Sequence, residues 1–151
     1  MNDEQLHFFS KDEFGKSWDV MSPVLLTRLD VLRGLWGRAI RITPVEGGLA
    51  RYDHSTSQHN VTEWGECRAV DIFPQGLTRL GSVQLFADLA QKCGFTGIGI
   101  YADTKPSVMF HLDVRTGIEF DKPMKWSRVD GQYSHSFDAA LAEIGKQGVV
   151  A

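Results

Sequence analysis

The run Arg68-Ala69-Val70-Asp71-Ile72-Phe73 places a carboxylate in the middle of an otherwise apolar, strand-like segment. Burying a carboxylate is costly unless it is paired, hydrogen-bonded or bound to a metal. Any fold that uses this run as an inner strand must therefore bring a partner to Asp71. A second run has the same anomaly. In Phe110-His111-Leu112-Asp113-Val114 the two-residue alternation of a strand puts Phe110 and Leu112 on one side and His111 and Asp113 on the other. The polar stretch that leads into the first run carries His59. Two imidazoles and a carboxylate are ordinary zinc ligands, and a catalytic zinc keeps three protein ligands and one open position. The expectation is that His59, Asp71 and His111 meet around a metal ion. Taken singly, each has a plainer reading. His111 would be a hydrogen-bonded strand residue, His59 a surface residue, and Asp71 an edge charge or a partner of Arg68 or Arg115. His54 is the alternate ligand, and His7 and His135 have no defensible partner spacing. Asp113, beside His111, has two readings: it takes a proton from attacking water, or it orients His111.

Around these runs the periodicity alternates between helix and strand. Ser10 with Glu13 three residues on has capping-box spacing and marks a short helix start. Ser22-Pro23 opens a clearer helix, with Leu25, Leu29, Leu32 and Trp36 at helical spacing, Val24, Val31 and Leu35 widening the apolar face, and Gly37 as its stop. Ala39–Thr43 alternates as a strand, and Pro44–Asn60 is loop. After the strand that ends at Pro74, Gly81-Ser82 opens a helix that ends at Gly94. Thr96–Tyr101 and Ser107–Val114 form a hairpin around Asp103–Pro106, Lys125–Ser127 is a further short strand, and Ser136 caps a last helix ending near Gly145. Without regular βαβ alternation, this pattern predicts an α+β domain with a small, mainly antiparallel sheet flanked by helices.

The chain has 151 residues, which suits one domain spanning 1–151, and its 42% hydrophobic and 23% charged residues are ordinary for a globular protein. A net charge of −3 does not favour a nucleic-acid partner, because such proteins usually carry a basic patch. Cys67 and Cys93 are read as free thiols, since two cysteines make no disulfide framework. No apolar run is long enough to span a bilayer. The acidic N-terminus lacks the basic and apolar regions of a signal peptide, so synthesis and retention in a cytoplasm are expected.

At these residues the chain resembles the LAS-type zinc D-alanyl-D-alanine peptidases, whose fold is shared by the hedgehog signalling domain. Ser57-Gln58-His59 is similar to that family's S-x-H, and Cys67-Arg68-Ala69-Val70-Asp71 to its G-x-A-x-D, with Cys67 in place of the glycine. Gly94–Tyr101 followed by Phe110–Arg115 is similar to the final part in phage and bacterial members. The likeness runs from about residue 10 to residue 128. It implies a hedgehog/DD-peptidase fold, zinc held by His59, Asp71 and His111, and hydrolysis of a peptide bond in bacterial peptidoglycan by a carboxypeptidase or endopeptidase. Zinc in such a site activates water and polarises the scissile carbonyl. Absence of a signal peptide fits a phage or prophage lytic enzyme that reaches the wall after release, or one carried on the virion.

Three departures from the family pattern stand out. The gap between His59 and Asp71 is long, so Asn60–Glu66 reads as an insertion at the mouth of the site, able to alter access or to bring Glu63, Trp64 and Glu66 toward it. The family's substrate-binding arginine has its nearest counterpart in Arg51, whose planar fork suits a substrate carboxylate. The acid that some relatives place just before the second histidine is missing from Ser107-Val108-Met109, which makes Asp113 the base candidate and Glu63 or Glu66 the fallback. Ser57 and Tyr101 complete the expected substrate-binding set. Two other functions remain open: the same fold with zinc but no catalysis, as a binding or structural module of a phage particle, and a metal-free binding domain if His59 and Asp71 lie apart.

Overall fold

The computed structural model describes residues 6–43 and 48–147. Part of the expected Pro44–Asn60 loop, residues 44–47, lies outside them. A six-stranded sheet forms the centre, built from β1 (Ile40–Ile42), β2 (Ala69–Pro74), β3 (Gly97–Tyr101), β4 (Met109–Asp113), β5 (Met124–Val129) and β6 (Gln132–Ser134). Its spatial order is β1-β2-β4-β3-β5-β6. Every neighbouring pair is antiparallel except β3 with β5, which is parallel. The helices are α1 (Pro23–Trp36), the single turn α2 (Val61–Trp64), α3 (Leu80–Lys92) and α4 (Asp138–Gln147), preceded by a 3-10 helical segment, Lys11–Val20. The arrangement is α+β, as the mixed periodicity requires. Among the described residues no helix is long and apolar enough to cross a membrane.

The expected hairpin forms, with Gly99 opposite His111 and Gly97 opposite Asp113. The opening run is an inner strand: β2 sits between β1 and β4, with Asp71 directly opposite His111. Alternation then sorts the inner strands into two faces. Val70, Ile72, Ile98, Ile100, Phe110 and Leu112 join one continuous core with the helices, where Phe86 of α3 meets Phe110 at a ring separation of 4.7 Å. The other face carries Asp71, His111, Asp113 and the two glycines of β3.

Helix ends follow the local chemistry. The Leu25 N–H donates to the Ser22 hydroxyl at 3.3 Å, Pro23 occupies the first turn, and Gly37 closes α1 at φ 73°. At the N-terminal segment the Ser10 N–H donates to the Glu13 carboxylate at 2.8 Å, but Gly15 at φ 53° breaks the turn pattern, so no regular α-helix follows. The buried stripe of α1 is Leu25, Leu26, Leu29 and Leu32; Val24, Val31 and Leu35, expected to widen it, face solvent. The fifth strand runs longer than its sequence signal, β6 gave none, and α4 ends two residues past Gly145, close to where the sequence places its end.

Candidate metal centre

Three elements bring the donors together. The turn before α2 supplies His59, β2 supplies Asp71 and β4 supplies His111, and all three are buried. His59 Nε2 lies 3.3 Å from Asp71 Oδ1 and 3.3 Å from His111 Nδ1, and His111 Nδ1 lies 3.1 Å from Asp71 Oδ1. The ligand atoms therefore form a nearly equilateral triangle. In a tetrahedral site with metal–ligand bonds of about 2.0–2.1 Å, ligand atoms sit about 3.3–3.4 Å apart, the edge of the tetrahedron. The observed separations match that edge.

Tautomers sharpen the case. His59 Nδ1 is 2.7 Å from the Leu49 carbonyl, which only accepts, so that nitrogen carries the proton and Nε2 presents a lone pair. His111 Nε2 is 2.8 Å from Asp113 Oδ2, which by the same reasoning leaves a lone pair on Nδ1. Two lone-pair nitrogens and a carboxylate oxygen then converge with no donor between them. Such a cluster is resolved by a cation: a metal ion, or a proton in its place. The metal-free site takes the second course. Burial opposes a charge on His111, yet its hydrogen bonds to Asp113 and Asp71 win, and its pKa is pushed up to about 9. Burial drives His59 the other way, downward, so one proton serves the pair. Burial would raise Asp71, but the hydrogen bond from protonated His111 holds it well below the ordinary carboxylate range.

Asp113 is fully buried and turned from this triangle to the opposite nitrogen of His111. Arg115 Nε donates to its Oδ1 at 2.8 Å and Nη2 to its Oδ2. Burial opposes its charge, but Arg115 and His111 keep it ionised, below the ordinary carboxylate range. Its placement supports the orienting role rather than that of proton acceptor from water. The carboxylate fixes the ring of His111, and Arg115 fixes the carboxylate. Arg68, the other expected partner for Asp71, pairs instead with Glu66 at 3.2 Å.

The triangle forms the floor of a cleft of about 320 Å³ whose walls include Arg51, Ser57, Gln58, Tyr101, Trp126 and Arg128. Arg51 Nη2 is 4.0 Å from Asp71 Oδ2. Ser57 lines the cleft but spends its hydroxyl on the loop, accepting from the His59 N–H at 3.2 Å. Tyr101 is present, with its pKa pushed up to about 12 by burial. Of the two courses open to the Asn60–Glu66 insertion, bringing Glu63, Trp64 and Glu66 to the site is not the one taken, since none of the three lines the cleft. Asn60 caps α2 through the Thr62 N–H, Gly65 closes it at φ 77°, and Trp64 turns back to donate to the Ser57 carbonyl at 2.9 Å. Among the described residues, Asp71 is the only carboxylate lining the cleft. His54, the alternate ligand, is exposed and outside the cluster.

Trp126, which the sequence places only within a short strand at Lys125–Ser127, flanks the site. Its ring lies 5.1 Å from that of His111. The missed signal is the spacing of Gly97 and Gly99 on the cleft face of β3. A Cβ at Gly97 would meet the Asp113 carboxylate at 2.3 Å, and one at Gly99 would meet Trp126 Nε1 at 2.4 Å. Only glycine lets those side chains lie across the strand.

Comparison with known protein families, with curated proteins and with solved structures finds no match. The cysteines are free, as expected; Cys67 is buried, and burial pushes its thiol up to about 11.

Proposed function

We propose that this chain is a zinc-dependent peptidase of the hedgehog/DD-peptidase fold that hydrolyses a peptide bond in bacterial peptidoglycan, as a carboxypeptidase or endopeptidase. The observation that carries the reading is the donor triangle of His59, Asp71 and His111 at the floor of an accessible cleft. Two imidazoles and one carboxylate make the three-ligand set of catalytic zinc sites, whereas structural sites are closed by a fourth protein ligand. When bound, zinc supplies an activated water and an electrophile for the scissile carbonyl.

The chain's own groups do the rest. Leu49 and Asp113 fix the two imidazoles from behind, so the donors are arranged before metal arrives. Arg51, Arg115 and Arg128 line the cleft and suit a peptide rich in carboxylates. Tyr101 and Trp126 offer flat apolar walls that shield the reacting carbonyl from bulk water. The order of ligands along the chain and their strand settings agree with the family resemblance, which is what points to peptidoglycan. A phage or prophage lytic role follows the same resemblance.

A second reading is a zinc-containing binding module of the same fold, with no catalysis. The turn of Asp113 away from the triangle favours it, because it leaves the described cleft without a free carboxylate base. Digestion of purified peptidoglycan by zinc-loaded protein, with mass spectrometry of the soluble fragments, decides between the two. The peptidase reading expects new stem-peptide fragments that name the bond. No release at any protein concentration, with zinc bound, establishes the binding module instead.

A further inference from the structure

The wall of the cleft contains a hydrogen bond whose direction is fixed. Trp126 Nε1 lies 3.1 Å from the hydroxyl oxygen of Tyr101, and an indole N–H only donates. Tyr101 therefore accepts from Trp126, and its own O–H proton is shared between the neighbouring Tyr133 side chain, its other hydrogen-bond partner, and whatever enters the cleft. The indole is itself held in place. It lies across Gly99 where no side chain fits, and its ring packs against that of His111. The phenol ring is clamped from the far side. The Arg128 guanidinium sits 4.6 Å from its centroid, and Arg128 is anchored by Asp103 with Nε 3.0 Å from each carboxylate oxygen. Tyr133 meets the ring edge-on at 6.2 Å. The result is a tyrosine only 8% exposed that shares the cleft lining with His59, Asp71 and His111. So much structure devoted to aiming one hydroxyl needs a use.

We propose that Tyr101 is a catalytic residue of the peptide hydrolysis argued above, donating a hydrogen bond to the carbonyl oxygen of the scissile amide as it becomes an oxyanion, and that Trp126 is the positioning residue that aims it. The inference rests on the peptidase reading. In the step it assists, the oxygen of water bonds to the carbonyl carbon and the C=O π pair moves onto oxygen. That pair then re-forms the carbonyl as the C–N bond breaks, and the amine departs with the proton lost by water. Tyr101 keeps its own proton throughout; it stabilises charge and transfers nothing. A fixed donor of this kind is most effective where charge develops in a site shielded from water.

Kinetics on peptidoglycan and binding of acetohydroxamate by calorimetry, both with zinc-loaded protein, test the proposal. Tyr101→Phe removes only the hydroxyl oxygen and its proton. It is expected to lower kcat by about 100-fold with KM nearly unchanged, the cost of deleting one oxyanion donor. It should also weaken acetohydroxamate by about tenfold, as loss of a hydrogen bond to a charged group does. Trp126→Phe keeps a ring over Gly99 but loses the aiming N–H, and falls between wild type and Tyr101→Phe on both measures. Unchanged kcat and hydroxamate affinity in Tyr101→Phe, with wild type active, overturn this inference and leave the peptidase reading standing. A wild type that cuts no bond overturns both. Loss of zinc in Tyr101→Phe in proportion to lost activity overturns it too, because the hydroxyl is then holding the site rather than serving it.

Discussion

The two faces of the inner strands are built by different rules. On the core face, Val70, Ile72, Ile98, Ile100, Phe110 and Leu112 are held by shape and by exclusion of water. Any side chain of similar volume that is apolar would serve nearly as well. On the cleft face one residue away, Asp71, His111 and Asp113 are held by directed polar contacts of 2.8–3.3 Å. There, a change that preserves volume and removes one lone pair breaks the arrangement. The contrast teaches that packing on the core face and the proposed metal binding on the cleft face are separable, because adjacent residues of the same strands serve different ones.

The largest expected effect lies on the core side. Phe110→Ala leaves a cavity beneath Phe86 and should cost about 3–5 kcal/mol of unfolding free energy, measured by denaturant titration. The fraction that remains folded should bind metal normally. Loss of metal affinity from that fraction would mean that the faces are coupled.

Acid–base linkage probes the cleft face with metal removed. His111 has its folded pKa raised to about 9, above an unfolded value near 6.5. Its contribution to stability is therefore fully present below pH 6.5 and is lost as pH rises through about 9. That loss is on the order of 3 kcal/mol, read from urea midpoints of chelator-treated protein at pH 6 and pH 10. The carboxylates run the other way. Asp71 and Asp113 have depressed pKa values, so their contribution is present above the ordinary carboxylate range and is lost in acid. Zinc-loaded protein should lack the alkaline loss, because metal replaces the proton at His111. A metal-free protein equally stable at pH 6 and pH 10 would contradict the shared-proton description.

Asp113→Asn is the smaller and sharper change. Asparagine can still accept from His111 Nε2, but Arg115 then faces no carboxylate. Metal affinity should fall about 10–100-fold, as for other groups that orient a histidine ligand. Competition with a metal-sensitive dye measures it. Unchanged affinity together with lost hydrolysis would restore Asp113 to the role of base.

Much of this division was legible in the sequence because both faces write a period-2 signal. Asp71 in an apolar run announces an inner strand with a polar task, and Phe110-His111-Leu112-Asp113 announces the alternation itself. The hairpin register that sets Gly99 against His111 follows from the same pattern. What the sequence withheld was direction. Nothing in Asn60–Glu66 says that Trp64 folds back onto the Ser57 carbonyl instead of reaching the cleft, since that depends on the one-turn helix α2 and on Gly65. Nor does His111-Leu112-Asp113 reveal which nitrogen of His111 its neighbour will take, a choice made by Arg115 waiting behind Asp113. Trp126 entered the site because β5 lies parallel to β3, a long-range pairing with no local signature. The glycines of β3 were visible as letters, but the side chains they make room for were not.

Metal stoichiometry tests the central claim most directly. Protein equilibrated with zinc and passed through a desalting column should carry about one zinc per chain by elemental analysis, as a three-ligand site predicts. His111→Ala, with its fold checked by circular dichroism, should lose most of that zinc. Full occupancy in the variant, or none in the wild type, would contradict the assignment of His59, Asp71 and His111 as a metal centre.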